Sequence, residues 1–146
     1  MPPRSPRPAA GPRHASEHDE QCELFRWLAA NSTRHPLLAL PFAIPNGGHR
    51  HPATAARLKA EGVKAGVWDV LVPVPRPYPE SALSWLGAWI EMKVGDNRLT
   101  PAQVEFRKRL SVYPYQWFVC FSWREAAQAI YLYLGIDDAD LWRQIQ

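Results

Sequence analysis

Two acidic side chains and a lysine near the middle of the chain have the types and spacing for chemistry. Ala88-Trp89-Ile90-Glu91-Met92-Lys93-Val94 reads as a β-strand, because its aromatic and β-branched residues suit a pleated, half-buried surface. Side chains alternate along a strand, so Glu91 and Lys93 share one face while Ile90, Met92 and Val94 share the other. Upstream, Gly66-Val67-Trp68-Asp69-Val70-Leu71-Val72 reads as a second strand, with Asp69 as its only charge. Pairing of the two strands sets Asp69 beside Glu91 and Lys93. Two carboxylates and an amine on rigid strands suit a hard divalent cation and a water to be activated. A plain surface Glu–Lys pair fits these two strands equally well, so the rest of the chain has to decide.

Metal-assisted phosphodiester hydrolysis fits the set best. Asp69 and Glu91 would hold Mg2+ or Mn2+ through carboxylate oxygens, and the backbone carbonyl of Met92 would add a ligand. Magnesium keeps several waters and binds few protein groups, so two carboxylates suffice. Lys93 would position the attacking water and neutralise charge on the phosphate oxygens. Zinc fits poorly, because there is no CxxC pair and no HExxH, and the five histidines are scattered. The chain also lacks a serine or cysteine hydrolase signature and a Gly-rich phosphate loop.

The elements that must position these residues are legible in part. Ser16-Glu17-His18-Asp19 fits an N-cap serine with an acidic first turn, opening a helix that ends near Asn31. Leu24, Trp27 and Leu28 give it an apolar stripe. Leu37 to Ile44 is apolar but broken by Pro41, which suits an edge strand or an irregular segment. Pro45-Asn46-Gly47-Gly48 signals a turn, followed by a short helix from Thr54 to Glu61 that Gly62 stops. Prolines 73, 75, 77 and 79 predict an extended excursion outside any sheet. Gly95-Asp96-Asn97-Arg98 reads as a turn. Thr100-Pro101-Ala102-Gln103 is a capping box opening a helix to about Ser111, expected to bury Val104, Phe106 and Leu110. Tyr115 to Phe121 is a third strand, and Ser122 to Glu125 a second capping box, whose helix stops at Gly135.

The order of elements predicts an α/β domain, a central mixed β-sheet flanked by helices. Residues 1–14, rich in Pro and Arg, are expected to form a disordered tail, 15–135 the domain, and 136–146 a short amphipathic tail. That tail would cover its own domain or a neighbouring subunit.

The net charge of +3 says little, because Arg4, Arg7 and Arg13 sit in the first 14 residues with no acid among them. Clustering says more. Arg50, Arg57, Lys59 and Lys64, with His49 and His51, form a local basic group before the Asp69 strand. Asn46, His49, Arg50, Lys59 and Lys64 are the DNA-contact candidates. Seven tryptophans suit a compact core, an interface or a stacking surface alike. Cys22 and Cys120 read as free buried thiols of a reducing compartment. No signal peptide and no membrane-spanning run is evident, which points to the cytoplasm and to no membrane partner.

Asp69 followed by Glu91-Met92-Lys93 resembles the PD-(D/E)xK nuclease core, that is, a restriction-endonuclease-like fold. The fuller pattern is similar to the virus-type replication-repair nuclease (VRR-NUC) family. It runs through Ser16-Glu17-His18-Asp19-Glu20-Gln21, Pro45-Asn46-Gly47-Gly48, Leu58 to Asp69, Glu91-Met92-Lys93 and Leu99-Thr100-Pro101-Ala102-Gln103. The ExK triplet alone is weak, whereas five segments in order are specific. The resemblance spans roughly residues 16–134. It departs at Trp68, where the family usually has Pro, and a changed loop shape is expected there. The resemblance implies a catalytic core of Asp69, Glu91 and Lys93, flanked by Gln103. It implies that Glu17 faces the metal, directly or through water, with Glu20 as the competing candidate. Small stand-alone members resemble phage-encoded nucleases, which implies a bacterial or phage-infected cell and a homodimer acting on branched DNA such as four-way junctions. Three rival readings remain open on the sequence: a DNA-binding module without catalysis, a restriction-type nuclease on the same core, and an interaction protein using its tryptophans and Pro-rich loop.

Overall fold

The structure is a computed structural model that describes residues 15–46, 51–77, 80 and 83–146. The expected tail 1–14, together with His49 and Arg50, lies outside the described residues.

The sequence folds as an α/β domain with a four-stranded mixed sheet. In chain order come helix α1 (Glu17–Asn31), a 3-10 turn (Pro36–Ala39), β1 (Phe42–Ala43), α2 (Pro52–Ala60) and β2 (Val70–Val72). Then follow β3 (Arg76–Pro77), β4 (Ser84–Trp85), β5 (Gly87–Met92), α3 (Pro101–Leu110), β6 (Tyr115–Cys120), α4 (Trp123–Leu134) and α5 (Ala139–Ile145). The sheet order is β1-β2-β5-β6. β2 is antiparallel to both β1 and β5, whereas β5 and β6 are parallel and joined through α3. Parallel neighbours need such a crossover, because a tight hairpin cannot return the chain in the same direction.

The two faces of β5 differ in chemistry. Ala88, Ile90 and Met92 join Val70, Val72 and Cys120 in a core closed by Leu24, Leu28, Ala126, Ile130 and Leu134 of α1 and α4. Burying Ile90 or Met92 fully contributes about 1.5–3 kcal/mol each. Trp89, Glu91 and Lys93 take the other face, where the Trp89 ring meets Phe106 of α3 at 5.2 Å. A slip of one residue would bring Glu91 into the apolar core, so burial itself fixes the register that presents the acid.

Local chemistry explains the helix ends. Ser16 Oγ accepts from the Asp19 N–H at 3.1 Å, and the Asp19 carboxylate accepts from the Ser16 N–H at 3.0 Å. Thr100 and Gln103 form the same reciprocal box at α3. At α4 the second half goes elsewhere: Ser122 Oγ accepts from the Glu125 N–H, but the Glu125 carboxylate accepts from the Phe121 N–H at 2.7 Å.

Several expectations are corrected. The second strand begins only at Val70, since Gly66 has φ +82°, a left-handed conformation that leaves the strand path. Arg76–Pro77 does pair, antiparallel with Ser84–Trp85, in a separate two-stranded ribbon. Both strands of a ribbon have an outer edge, where a proline without an N–H is tolerated. Val104 is 50% exposed, because Gln103, Phe106 and Leu110 recur every three to four residues and form the inward stripe without it. Cys22 is only half-buried, while Cys120 is buried, and both are free. The C-terminal tail folds back as α5, with Leu141 and Ile145 fully buried and the Trp142 ring 5.0 Å from Tyr131. It covers its own domain, so Leu141 and Trp142 are not spare apolar surface for a partner.

Candidate metal centre and active site

Asp69 stands one residue before β2. The register Val70–Ile90 and Leu71–Trp89, carried one step further, sets Asp69 opposite Glu91. Its Oδ2 accepts from the Met92 N–H at 2.9 Å, and its backbone carbonyl accepts from the Ile44 N–H at 2.7 Å. The side chain is thus tied to β5 and the main chain to the segment beside β1.

Glu91 is 1% exposed, which is unusual for a carboxylate and demands partners. Its Oε1 accepts from Lys93 Nζ at 2.7 Å and from Gln103 Nε2. Its Oε2 is buried and accepts no hydrogen bond from a donor among the described residues. Lys93, buried as well, is held in place by the bond of its N–H to the Cys120 carbonyl at 2.9 Å. Gln103 has two simultaneous roles. Its Oε1 accepts from the Thr100 N–H at 2.8 Å as the cap, and its Nε2 donates to Glu91.

Both carboxyls resist ionisation. Burial pushes the Glu91 carboxyl up to about 7, with the Asp69 charge adding to the rise and Lys93 and Gln103 opposing it. Burial also raises Asp69, against the pull of the Met92 hydrogen bond and the Lys93 charge. The negative charge of Glu17 is a further cause of the Asp69 rise, which brings the first helix into the electrostatics of the site.

The structure separates the two acids of α1. Glu20 Oε2 accepts from the Trp123 N–H at 2.6 Å, capping the start of α4. Glu17 Oε1 accepts from Asn97 Nδ2 at 2.8 Å. Asn97 is the residue that sequence reasoning missed. Its turn reads only as a chain reversal, and no local signal connects it to a helix some 80 positions away.

Among the basic candidates, Lys59 and Lys64 are exposed, Lys59 on a helix with no buried residue. Arg57 pairs with Glu61 at 2.9 Å. Asn46 directs its Nδ2 inward to the Val67 carbonyl at 2.7 Å, bracing the loop that leads to Asp69.

The donor set fits a hard cation. Among the described residues no three His, Cys, Asp or Glu side chains cluster as a closed metal cage. What the site offers is an acid pair with one orphaned oxygen, and a divalent ion that retains its waters needs little more. Such an ion would supply the partner that Glu91 Oε2 lacks and offset the burial of both carboxylates.

A mixed sheet with a parallel crossover, and facing acids on β5 and just before β2, define a restriction-endonuclease-like α/β domain. A solved chain described as "VRR_NUC domain protein" superposes with a TM-score of 0.65 at 26% identity, over 86% of this chain and 93% of that one. That likeness supports a VRR-NUC domain in this chain. No family model and no curated protein matches it.

Proposed function

We propose that the domain is a metal-dependent DNA endonuclease that hydrolyses phosphodiester bonds. The observation that carries this reading is the buried acid pair of Glu91 and Asp69, with Glu91 Oε2 accepting no hydrogen bond from a described donor and Lys93 alongside. Asp69 and Glu91 would hold Mg2+ or Mn2+, with the Met92 carbonyl as a backbone ligand and Glu17 directly or through a water. When bound, the ion supplies Lewis acidity and lowers the pKa of a coordinated water.

The chain's own residues do the rest. Gln103 fixes the Glu91 carboxylate by donating to Oε1. Lys93, at 2.7 Å from the same oxygen, carries the cation that stabilises charge developing on the phosphate and orients the water. The Met92 N–H holds Asp69 in the acid pair at 2.9 Å. Lys59 and Lys64 on the exposed surface would contact the DNA backbone, together with Asn46, His49 and Arg50.

The preferred substrate in this reading is branched DNA such as a four-way junction. A homodimer would then place two sites about a two-fold axis, one for each strand cut. The test is a cleavage assay on linear, flapped and four-way DNA, with and without Mg2+ or Mn2+. Cleavage that needs the metal and favours the junction is expected. Binding without cleavage under all metal conditions would defeat the enzymatic reading.

A further inference from the structure

We propose that Trp68 is a positioning residue that locks the Asp69 loop to the start of α3 and thereby sets Gln103 against Glu91. The proposal rests on reading Asp69 and Glu91 as the working acids. Trp68 is fully buried, and its indole N–H donates to the Gln103 carbonyl at 3.2 Å. Gln103 in turn donates from its side chain to Glu91 Oε1. One residue of α3 therefore receives a bond from the Asp69 loop on its backbone and passes one to the second acid from its side chain.

Burial alone does not account for the indole bond. Trp27 and Trp89 are also buried, and their indole nitrogens have no hydrogen-bond partner among the described residues. This protein thus places large rings in its interior without tying them. At Trp68 the ring packs edge-on against Trp117 at 4.9 Å and the N–H is tied as well.

The loop is seated at a second point. Gly66 lies so close to α3 that a Cβ there would be 2.4 Å from the Ala102 carbonyl carbon and oxygen. Asn46 braces Val67 from the other side at 2.7 Å. Gly66 and Trp68 thus dock the loop leading into Asp69 onto the helix that carries Gln103, while Asn46 ties Val67 between them to the segment after β1. A proline at position 68 would offer neither an aromatic ring to Trp117 nor an indole N–H to Gln103.

The test uses Trp68→Phe, which keeps a buried ring and removes the donor, against Trp27→Phe, which removes an indole N–H that bonds nothing. Mn2+ affinity is measured by calorimetry without DNA, well below the melting temperature, and exchange of the Gln103 side-chain amide protons by NMR in metal-free protein. Trp68→Phe should weaken Mn2+ binding about fivefold, the effect of one hydrogen bond, and speed exchange at the Gln103 amide. Trp27→Phe should change neither. Unchanged Gln103 exchange in folded Trp68→Phe overturns the proposal, and so does unchanged affinity where the wild type binds Mn2+. A wild type that takes up no Mn2+ defeats the metal reading instead, while the exchange measurement still decides the role of Trp68. Should Trp68→Phe not fold, the wild type answers: the Trp68 indole proton should shift less with temperature than those of Trp27 and Trp89, and an equal or larger shift overturns the proposal.

Discussion

Lys93 Nζ and Glu91 Oε1 lie 2.7 Å apart, both residues buried on one face of the chain at and just beyond the end of β5. The spacing of two residues makes this pair, and the unpaired Oε2 leaves it incomplete. Lys93→Met keeps the aliphatic stem and removes the charge. Glu91 can take up a proton in response, since burial already holds its carboxyl near 7, so the fold should survive. Cleavage should fall about a hundredfold or more, as when one donor to a developing charge is removed. Mn2+ binding at pH 8 should persist. Single-turnover rates near wild type would remove Lys93 from the mechanism.

The acids should sort into three grades. Asp69→Asn and Glu91→Gln remove anionic ligands and should each abolish cleavage and weaken Mn2+ binding by at least about tenfold. Glu17→Gln should weaken it less, because Glu17 acts from α1 and is shared with Asn97. Glu20→Gln should leave metal affinity alone and lower stability by about 1 kcal/mol, through a poorer cap on the Trp123 N–H. Calorimetry on the four variants tests the order, and equal losses for Glu17 and Glu20 would break it.

Burial of the acid pair also gives a pH signature in metal-free protein. The Glu91 carboxyl is raised from its ordinary 4.5 to about 7 when folded. The folded state therefore holds a proton that the unfolded state has released, and stability falls as pH rises between those two values. Asp69, raised as well, acts in the same direction. Asp138 is lowered, chiefly by its hydrogen bond to His35, so its contribution is lost only as pH falls below the ordinary 3.8. Melting curves should show stability declining from about pH 4.5 to 7 and Glu91→Gln flattening that slope. Mn2+ affinity should rise over the same range as protons leave. A flat profile in the wild type would mean that burial does not hold the Glu91 proton.

Lys59 and Lys64 are exposed near the loop that leads to Asp69. Alanine at both should weaken DNA binding and reduce the salt slope by about one unit for each phosphate no longer neutralised. Filter binding in Ca2+ across a salt series measures it, and an unchanged slope places the DNA elsewhere.

What could be read from the sequence was local. Period-two alternation placed Glu91 with Lys93, and capping chemistry located the starts of α1 and α3, because each depends on residues within four positions. The family resemblance named Gln103 as a neighbour of the site, and the hydrogen bond to Glu91 gives that a geometry. Long-range relationships were not legible. Asn97 reaches Glu17 and Trp68 reaches Gln103 only after the sheet and α3 assemble, and no spacing rule encodes either bond. Sorting Glu17 from Glu20 likewise needed the position of α4. The C-terminal segment was amphipathic by pattern, but pattern does not say whether the surface it covers belongs to the same chain.

Two glycines with similar backbones give the sharpest test of how the acid loop is seated. Gly62 and Gly66 both have positive φ, +99° and +82°, so alanine at either incurs backbone strain of about 1–2 kcal/mol. They differ in surroundings. A Cβ at Gly62 meets nothing within 4 Å, whereas at Gly66 it would be 2.4 Å from the Ala102 carbonyl carbon and oxygen, and backbone cannot turn aside as a side chain can. Gly62→Ala should therefore show the strain alone and leave Mn2+ binding unchanged. Gly66→Ala should add about 1–3 kcal/mol for the overpacking and push the Asp69 loop away from α3. The loop carries Asp69 and the helix carries Gln103, so the displacement should also weaken Mn2+ binding. Urea denaturation gives the stability difference and calorimetry the affinity. Equal destabilisation by the two variants would mean that the loop is not held against α3 at Gly66.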